Sequence, residues 1–339
     1  MIRRAIGAAM ISAACVIAGP GVVLADAAGP TDYRSEVVAI DPATPAVDVT
    51  IEGGDAFVRI AVAEGHEVVV LGYAPDEEPY LRIGVDGAVE HNLRSFATYY
   101  NEERFGGDDI PAIVDNSAPP DWQRIGDGGR WAWHDHRAHW MGTEPPIGLE
   151  PGDSLPSQSI PILVDGARVE IEVRTTLQDE PSIWPALFGI LVGLQVVFLG
   201  ALLGPATTTL ASLVLSVAAL VVGVTQFRSL PAETGPLLTW WLLPAIAVAA
   251  AVAIVVTYGR SVLLRSGLLA FAAALLVVWA FRRRSGLSRA VLPTDLPFWL
   301  DRCITAAVLA GSVALLVLAV RDMFRVPADG PLSDPQSGA

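Results

Sequence analysis

The sequence predicts a β-sandwich domain of immunoglobulin-like architecture over residues 26–182, followed by an all-α transmembrane bundle of five helices over residues 183–322. Three observations carry this. The first half alternates apolar and polar residues with period two between turn dipeptides, which is how half-buried strands read. The second half consists of apolar runs close to the ~20 residues that cross a hydrocarbon core. Charge divides at the same boundary: residues 26–183 hold 30 acidic and 10 basic side chains, and residues 184–339 hold 6 and 10.

Residues 1–25 read as a signal peptide. Arg3 and Arg4 form a positive start, Ala5 to Leu24 is an apolar stretch broken by Gly19-Pro20-Gly21, and Ala25 supplies a small residue for cleavage. Cys15 lies inside that stretch and Cys303 opens an apolar run, so no disulfide is expected within the mature chain. Residues 323–339 read as a disordered tail.

Strand-like runs occur at Val47–Ile51, Phe57–Val62, Glu67–Tyr73, Tyr80–Val85, Ile160–Val164 and Arg168–Thr175. Gly53-Gly54, Asp86-Gly87 and Asp165-Gly166 punctuate them as hairpin turns. In the last strand Val169, Ile171 and Val173 are expected to face the core, with Arg168, Glu170, Glu172 and Arg174 facing water. Ser95 to Pro156 is rich in Pro, Gly and Asp and reads as a long insertion or a pair of loops.

The apolar runs are Ile183–Leu203, Thr207–Thr225, Leu237–Thr257, Val262–Phe281 and Ile304–Val320. Trp184, Trp240, Trp241, Trp279 and Trp299 fall near their ends, as amphipathic rings do at headgroup level. Gly189 and Gly193 offer a small-xxx-small packing seam. A cleaved signal puts the acidic domain outside the cytoplasm and residue 339 inside. That orientation leaves Arg282, Arg283, Arg284, Arg289 and Arg302 outside, against the tendency of arginine to stay inside; the alternatives are a re-entrant or interfacial run, with Val262–Phe281 the weakest because Arg265 interrupts it, and an uncleaved signal that changes the count. The runs carry almost no ionisable groups, which argues against an ion or proton path.

Trp131 to Met141 reads W-A-W-H-D-H-R-A-H-W-M and holds three of the five histidines. If extended, it projects His134 and His136 from one face; if helical, it groups His136, His139 and Trp140. Two or three neutral imidazoles with Asp135 suit zinc or copper, and the thioether of Met141 would favour copper. A structural reading stands beside this one: Asp135 and Arg137 pair, the tryptophans fill a core edge, and the histidines donate to carbonyls without a metal. No Gly-x-Ser-x-Gly, phosphate loop, dinucleotide fingerprint or His-Glu-x-x-His occurs, so a non-enzymatic protein is expected. The acidic domain repels phosphate backbones, which excludes nucleic acid as a partner. The partners expected are the lipid bilayer and, through the Trp-rich loop, a membrane or envelope protein.

With P-Y-L-R-I-x-x-D-G at Pro79–Gly87, W-H-D-H-R-A-H-W-M at Trp133–Met141, P-S-I-W-P at Pro181–Pro185 and a closing bundle, the chain resembles an uncharacterised family of actinobacterial membrane proteins. The resemblance covers most of the mature chain and implies the architecture without an activity. The layout alone is also similar to copper-handling proteins that join an extracytoplasmic sandwich to a membrane bundle; this chain lacks their amino-terminal and intramembrane histidines.

Overall fold

The computed structural model describes residues 28–107, 109–142, 144–257, 259 and 261–325. The expected signal peptide lies outside the described residues, as does the tail beyond Arg325. Ten strands form among the described residues: β1 (Tyr33–Asp41), β2 (Val47–Glu52), β3 (Phe57–Val62), β4 (Val68–Leu71), β5 (Pro79–Ile83), β6 (Val89–Asn92), β7 (Trp122–Gly126), β8 (Arg130–Trp133), β9 (Gln158–Val164) and β10 (Ala167–Leu177). They pair antiparallel into a seven-stranded sheet, β1-β10-β9-β4-β5-β6-β7, and a three-stranded sheet, β2-β3-β8. Both sheets feed one core, in which Val58, Ile60 and Trp133 of the smaller meet Val70, Leu81, Ile162 and Ile171 of the larger. Removing each such side chain from water contributes ~1.5–3 kcal/mol, which is what holds the two layers together.

The β9–β10 hairpin shows how the sequence specifies register. Asp165 and Gly166 both take positive φ, 50° and 81°, the two-residue turn whose twist suits a hairpin. Along β10, Val169, Ile171 and Val173 are buried while Arg168 and Arg174 are exposed, as the alternation predicts.

The segment expected to be irregular, Ser95 to Pro156, contains a short helix α1 (Phe96–Tyr100) and strands β7 and β8. Trp131 and Trp133 sit in β8, which pairs with β3; four residues after Gly128-Gly129 are too few to show a period. β1 was equally hidden, because its inward Ser35 is polar and meets Thr175 Oγ1 of β10 at 2.8 Å in the interior.

Five helices are long and apolar enough to cross a membrane: α2 (Trp184–Leu203), α3 (Pro205–Arg228), α4 (Thr239–Val256), α5 (Val262–Arg282) and α6 (Phe298–Arg325). A Cβ at Gly189 or Gly193 of α2 would strike the backbone carbonyls of Cys303 and Ala307, so these glycines bring α2 and α6 into close contact. Trp184, Trp240, Trp241, Trp279 and Trp299 all fall at the bundle end nearest the β domain.

The arginine-rich loop between α5 and α6 docks on that domain. Thr31 and Val291 exchange backbone hydrogen bonds of 3.0 and 2.8 Å, and Asp32 accepts from the Arg289 guanidinium and from the Ala290 amide. Arg283 pairs with Asp301 at 2.7 Å, while Arg302 donates to the carbonyls of Gly286, Arg289 and Ala290. Arg283, Arg289 and Arg302 thus build the junction. Leu230, after α3, completes a second small core with Ala28, Ala56, Phe57 and Ala132, against which Trp240 packs.

Candidate functional site

The histidine run leaves β8 at Trp133 and turns at once. Asp135 carries the turn: both its oxygens accept from Arg137, at 2.8 and 2.9 Å, and Trp133 Nε1 donates to Oδ2 at 3.0 Å. Arg137 also donates to the carbonyls of Leu71 and Gly72, and its guanidinium lies 4.7 Å from the Tyr73 ring centroid. Burial works against the Asp135 charge, but the adjacent Arg137 outweighs it and holds the carboxyl below its ordinary value. Its acceptor capacity is spent within the protein.

His134 is fully buried, with Nδ1 2.6 Å from the Ala56 carbonyl and its ring stacked on Phe57 at 4.3 Å. It therefore serves the packing between the histidine loop and the small core at the bundle. Met141 is half-buried on the same loop.

His136 and His139 differ. Their rings stand edge to face with centroids 5.4 Å apart. His136 Nε2 lies 3.1 Å from the Glu103 carbonyl, and His139 Nδ1 lies 3.2 Å from the Trp140 carbonyl. A carbonyl only accepts, so each of these nitrogens carries the proton. The opposite nitrogens, His136 Nδ1 and His139 Nε2, are buried lone pairs without a hydrogen-bond partner. Burial pushes His139 down to about 3, with the Arg104 charge adding to it, and burial also lowers His136. Both rings are neutral near pH 7, the state a metal requires.

Around the pair stand residues that the motif does not reveal. Tyr100 meets the His136 ring edge to face at 4.2 Å, Phe105 flanks His139, and the Tyr73 hydroxyl accepts from the His136 amide at 3.1 Å. Arg104 pairs with the fully buried Asp55 at 2.6 Å, and Thr31 donates to the same carboxylate. Burial outweighs Arg104 here and raises the Asp55 carboxyl. Asp55 follows the Gly53-Gly54 turn and reads in the sequence only as part of that turn; Glu102-Glu103-Arg104 was the available hint for the loop opposite.

The structure therefore brings together His136 and His139, and assigns His134 and Asp135 to packing and ion pairing. Among the described residues, no group of three or more His, Cys, Asp or Glu side chains is arranged to hold a metal ion; the donor set is a pair. Of the remaining histidines, His66 meets Asp165 at 2.7 Å on an exposed turn, whereas His91 lies between Tyr80 and Trp131, and burial pushes it down to about 4.

The fold and site define a class, a two-sheet antiparallel domain seated on five membrane-spanning-capable helices with a buried pair of imidazoles. Comparisons with protein families, with curated proteins and with solved structures give no match.

Proposed function

We propose that this is a non-enzymatic, membrane-anchored envelope protein whose β domain lies outside the cytoplasm and binds one copper or zinc ion through His136 Nδ1 and His139 Nε2. The observation that carries the reading is the pair of buried, unpartnered lone pairs, each on a ring whose other nitrogen donates to a backbone carbonyl. That carbonyl contact is the usual outer-shell device that fixes the tautomer of a metal-binding histidine. With metal–nitrogen distances of ~2.0 Å, two imidazoles on one ion bring their centroids to roughly 5–6 Å, and 5.4 Å agrees. The shared core and antiparallel pairing support a sandwich; the immunoglobulin-like comparison is loosened by the division into seven and three strands.

The outside orientation of the β domain is eased by three arginines whose charge is taken up within the protein. At the β-domain end, Arg283, Arg289 and Arg302 are committed to carboxylates or carbonyls, whereas Arg282 and Arg284 have no carboxylate partner among the described residues.

A second reading, an interaction subunit contacting a membrane or envelope protein, is favoured by Phe105, Ile113 and Ile147, which are exposed on the segments between α1 and β7 and between β8 and β9, Phe105 beside His139.

The metal reading is tested by equilibrium titration of the full-length protein in micelles with Zn(II) and, under reducing conditions, Cu(I). About one equivalent should bind, His136→Ala and His139→Ala should each abolish it, and Met141→Leu should retain it. Stoichiometric binding that survives both histidine substitutions would refute the site.

A further inference from the structure

The bundle carries a second feature at the end remote from the β domain. An apolar cleft of about 810 Å³ runs between α2 and α6, lined by Leu194, Phe198, Val313, Ala314 and Val317 among others. Its size falls within the ~300–1,000 Å³ of small-molecule sites. Ala201 and Leu318 line both this cleft and a smaller, polar pocket of about 130 Å³. That pocket holds Arg265, from the first turn of α5, and Arg321 and Asp322, near the end of α6. It is also lined by the first turn of α3, which has no side-chain cap.

The charges do not cancel within the protein. Arg321 pairs with Asp322, while Arg265 has no carboxylate partner among the described residues. One positive charge therefore remains, at headgroup depth, beside an uncapped helix N-terminus that favours an anion. Adjoining it through Ala201 and Leu318 lies a cleft with almost wholly apolar walls. A ligand matching both parts has one negative charge at a phosphate and a long hydrocarbon chain.

We infer that the bundle binds an anionic phospholipid from the leaflet remote from the β domain, with its phosphate between Arg265 and Arg321 and an acyl chain in the α2–α6 cleft. The headgroup contact supplies selectivity for charge, and the cleft distinguishes a lipid from a free phosphate. Occupancy would cover the exposed faces of α2 and α6 along their seam and tie the start of α5 to the end of α6.

The test is native mass spectrometry of the full-length protein, delipidated in neutral detergent, with phosphatidylglycerol, phosphatidylcholine or inorganic phosphate added at equal concentration. Phosphatidylglycerol should be retained at least fivefold more than either of the others. Arg265→Gln with Arg321→Gln should lower it to the phosphatidylcholine level, and Val313→Trp, which fills the cleft, should reduce both lipids. Arg284→Gln, at the other end of the bundle, should change nothing, and melting curves identify any variant that fails to fold. Equal retention of the two lipids, inorganic phosphate binding as well as phosphatidylglycerol, or indifference of folded variants would each overturn the proposal.

Discussion

The Asp32 carboxylate accepts from the guanidinium of Arg289, 257 residues away in sequence, and so ties the entry to β1 to the loop between α5 and α6. Its neighbour Thr31 pairs with Val291 through the backbone and donates its hydroxyl to Asp55. Asp55 in turn holds Arg104, whose charge bears on His139. A continuous set of contacts thus leads from the membrane bundle to the histidine pair.

Arg289 is half exposed, and exposed pairs contribute only ~0.2–1 kcal/mol. Asp32 additionally holds the Ala290 amide at 3.0 Å. Asp32→Ala is therefore expected to cost about 1–2 kcal/mol, and Arg289→Ala less than about 1 kcal/mol, in equilibrium unfolding of the full chain in micelles. Equal losses would mean that the Ala290 contact contributes nothing.

Asp135 is fully buried and Arg137 is its only cationic partner among the described residues. Arg137→Ala should destabilise the β domain by about 3–5 kcal/mol, since it strands a buried charge. The double variant Asp135→Asn with Arg137→Leu should recover much of that loss. A mild single-variant effect would show that the turn does not depend on this pair.

The pH dependence follows from His139 and His91, whose folded values are about 3 and about 4. Both lie below the unfolded value of ~6.5, so the unfolded chain takes up protons that the folded chain refuses. Stability should be greatest above pH ~6.5 and fall as pH drops towards 4, by about 3 kcal/mol per histidine at pH 4. Thermal melts against pH should show this slope, and it should flatten in His91→Phe with His139→Phe. A metal held by the pair should likewise persist at pH 5, below the range in which exposed imidazoles release theirs.

Orientation can be read by labelling. In a Cys303→Ser background, a cysteine placed at Ser285 should react with an impermeant maleimide from the same side as one at Asp179, and a cysteine at Gly259 only from the other. The Thr31–Val291 pairing and the succession of five spans require this pattern. Labelling of Ser285→Cys and Asp179→Cys from opposite sides would break it.

Much of this was legible. The five spans, the hairpin at Asp165-Gly166 and the inward set of β10 follow from length, turn chemistry and alternation, which are local properties. What stayed hidden depended on distant partners. β1 conceals its period behind the Ser35–Thr175 contact, and β8 is too short to display one. Arg283 and Arg289, after α5, look misplaced until Asp301 and Asp32 are seen beside them. Within W-H-D-H-R-A-H-W-M, no spacing rule separates His134, held by Ala56, from His136 and His139, whose open nitrogens depend on Glu103 and on the protein's fold.

Nitrogen NMR of the full-length protein labelled with ¹⁵N-histidine reads directly whether one ion binds through His136 Nδ1 and His139 Nε2, as proposed. On adding one equivalent of Zn(II), or separately Cu(I), the unprotonated resonances of His136 Nδ1 and His139 Nε2 should move together to metal-bound positions. Their protonated nitrogens, along with His66 and His91, should stay in place. Unchanged His136 and His139 resonances in the presence of bound metal, or a shift confined to His66 beside Asp165, would contradict it.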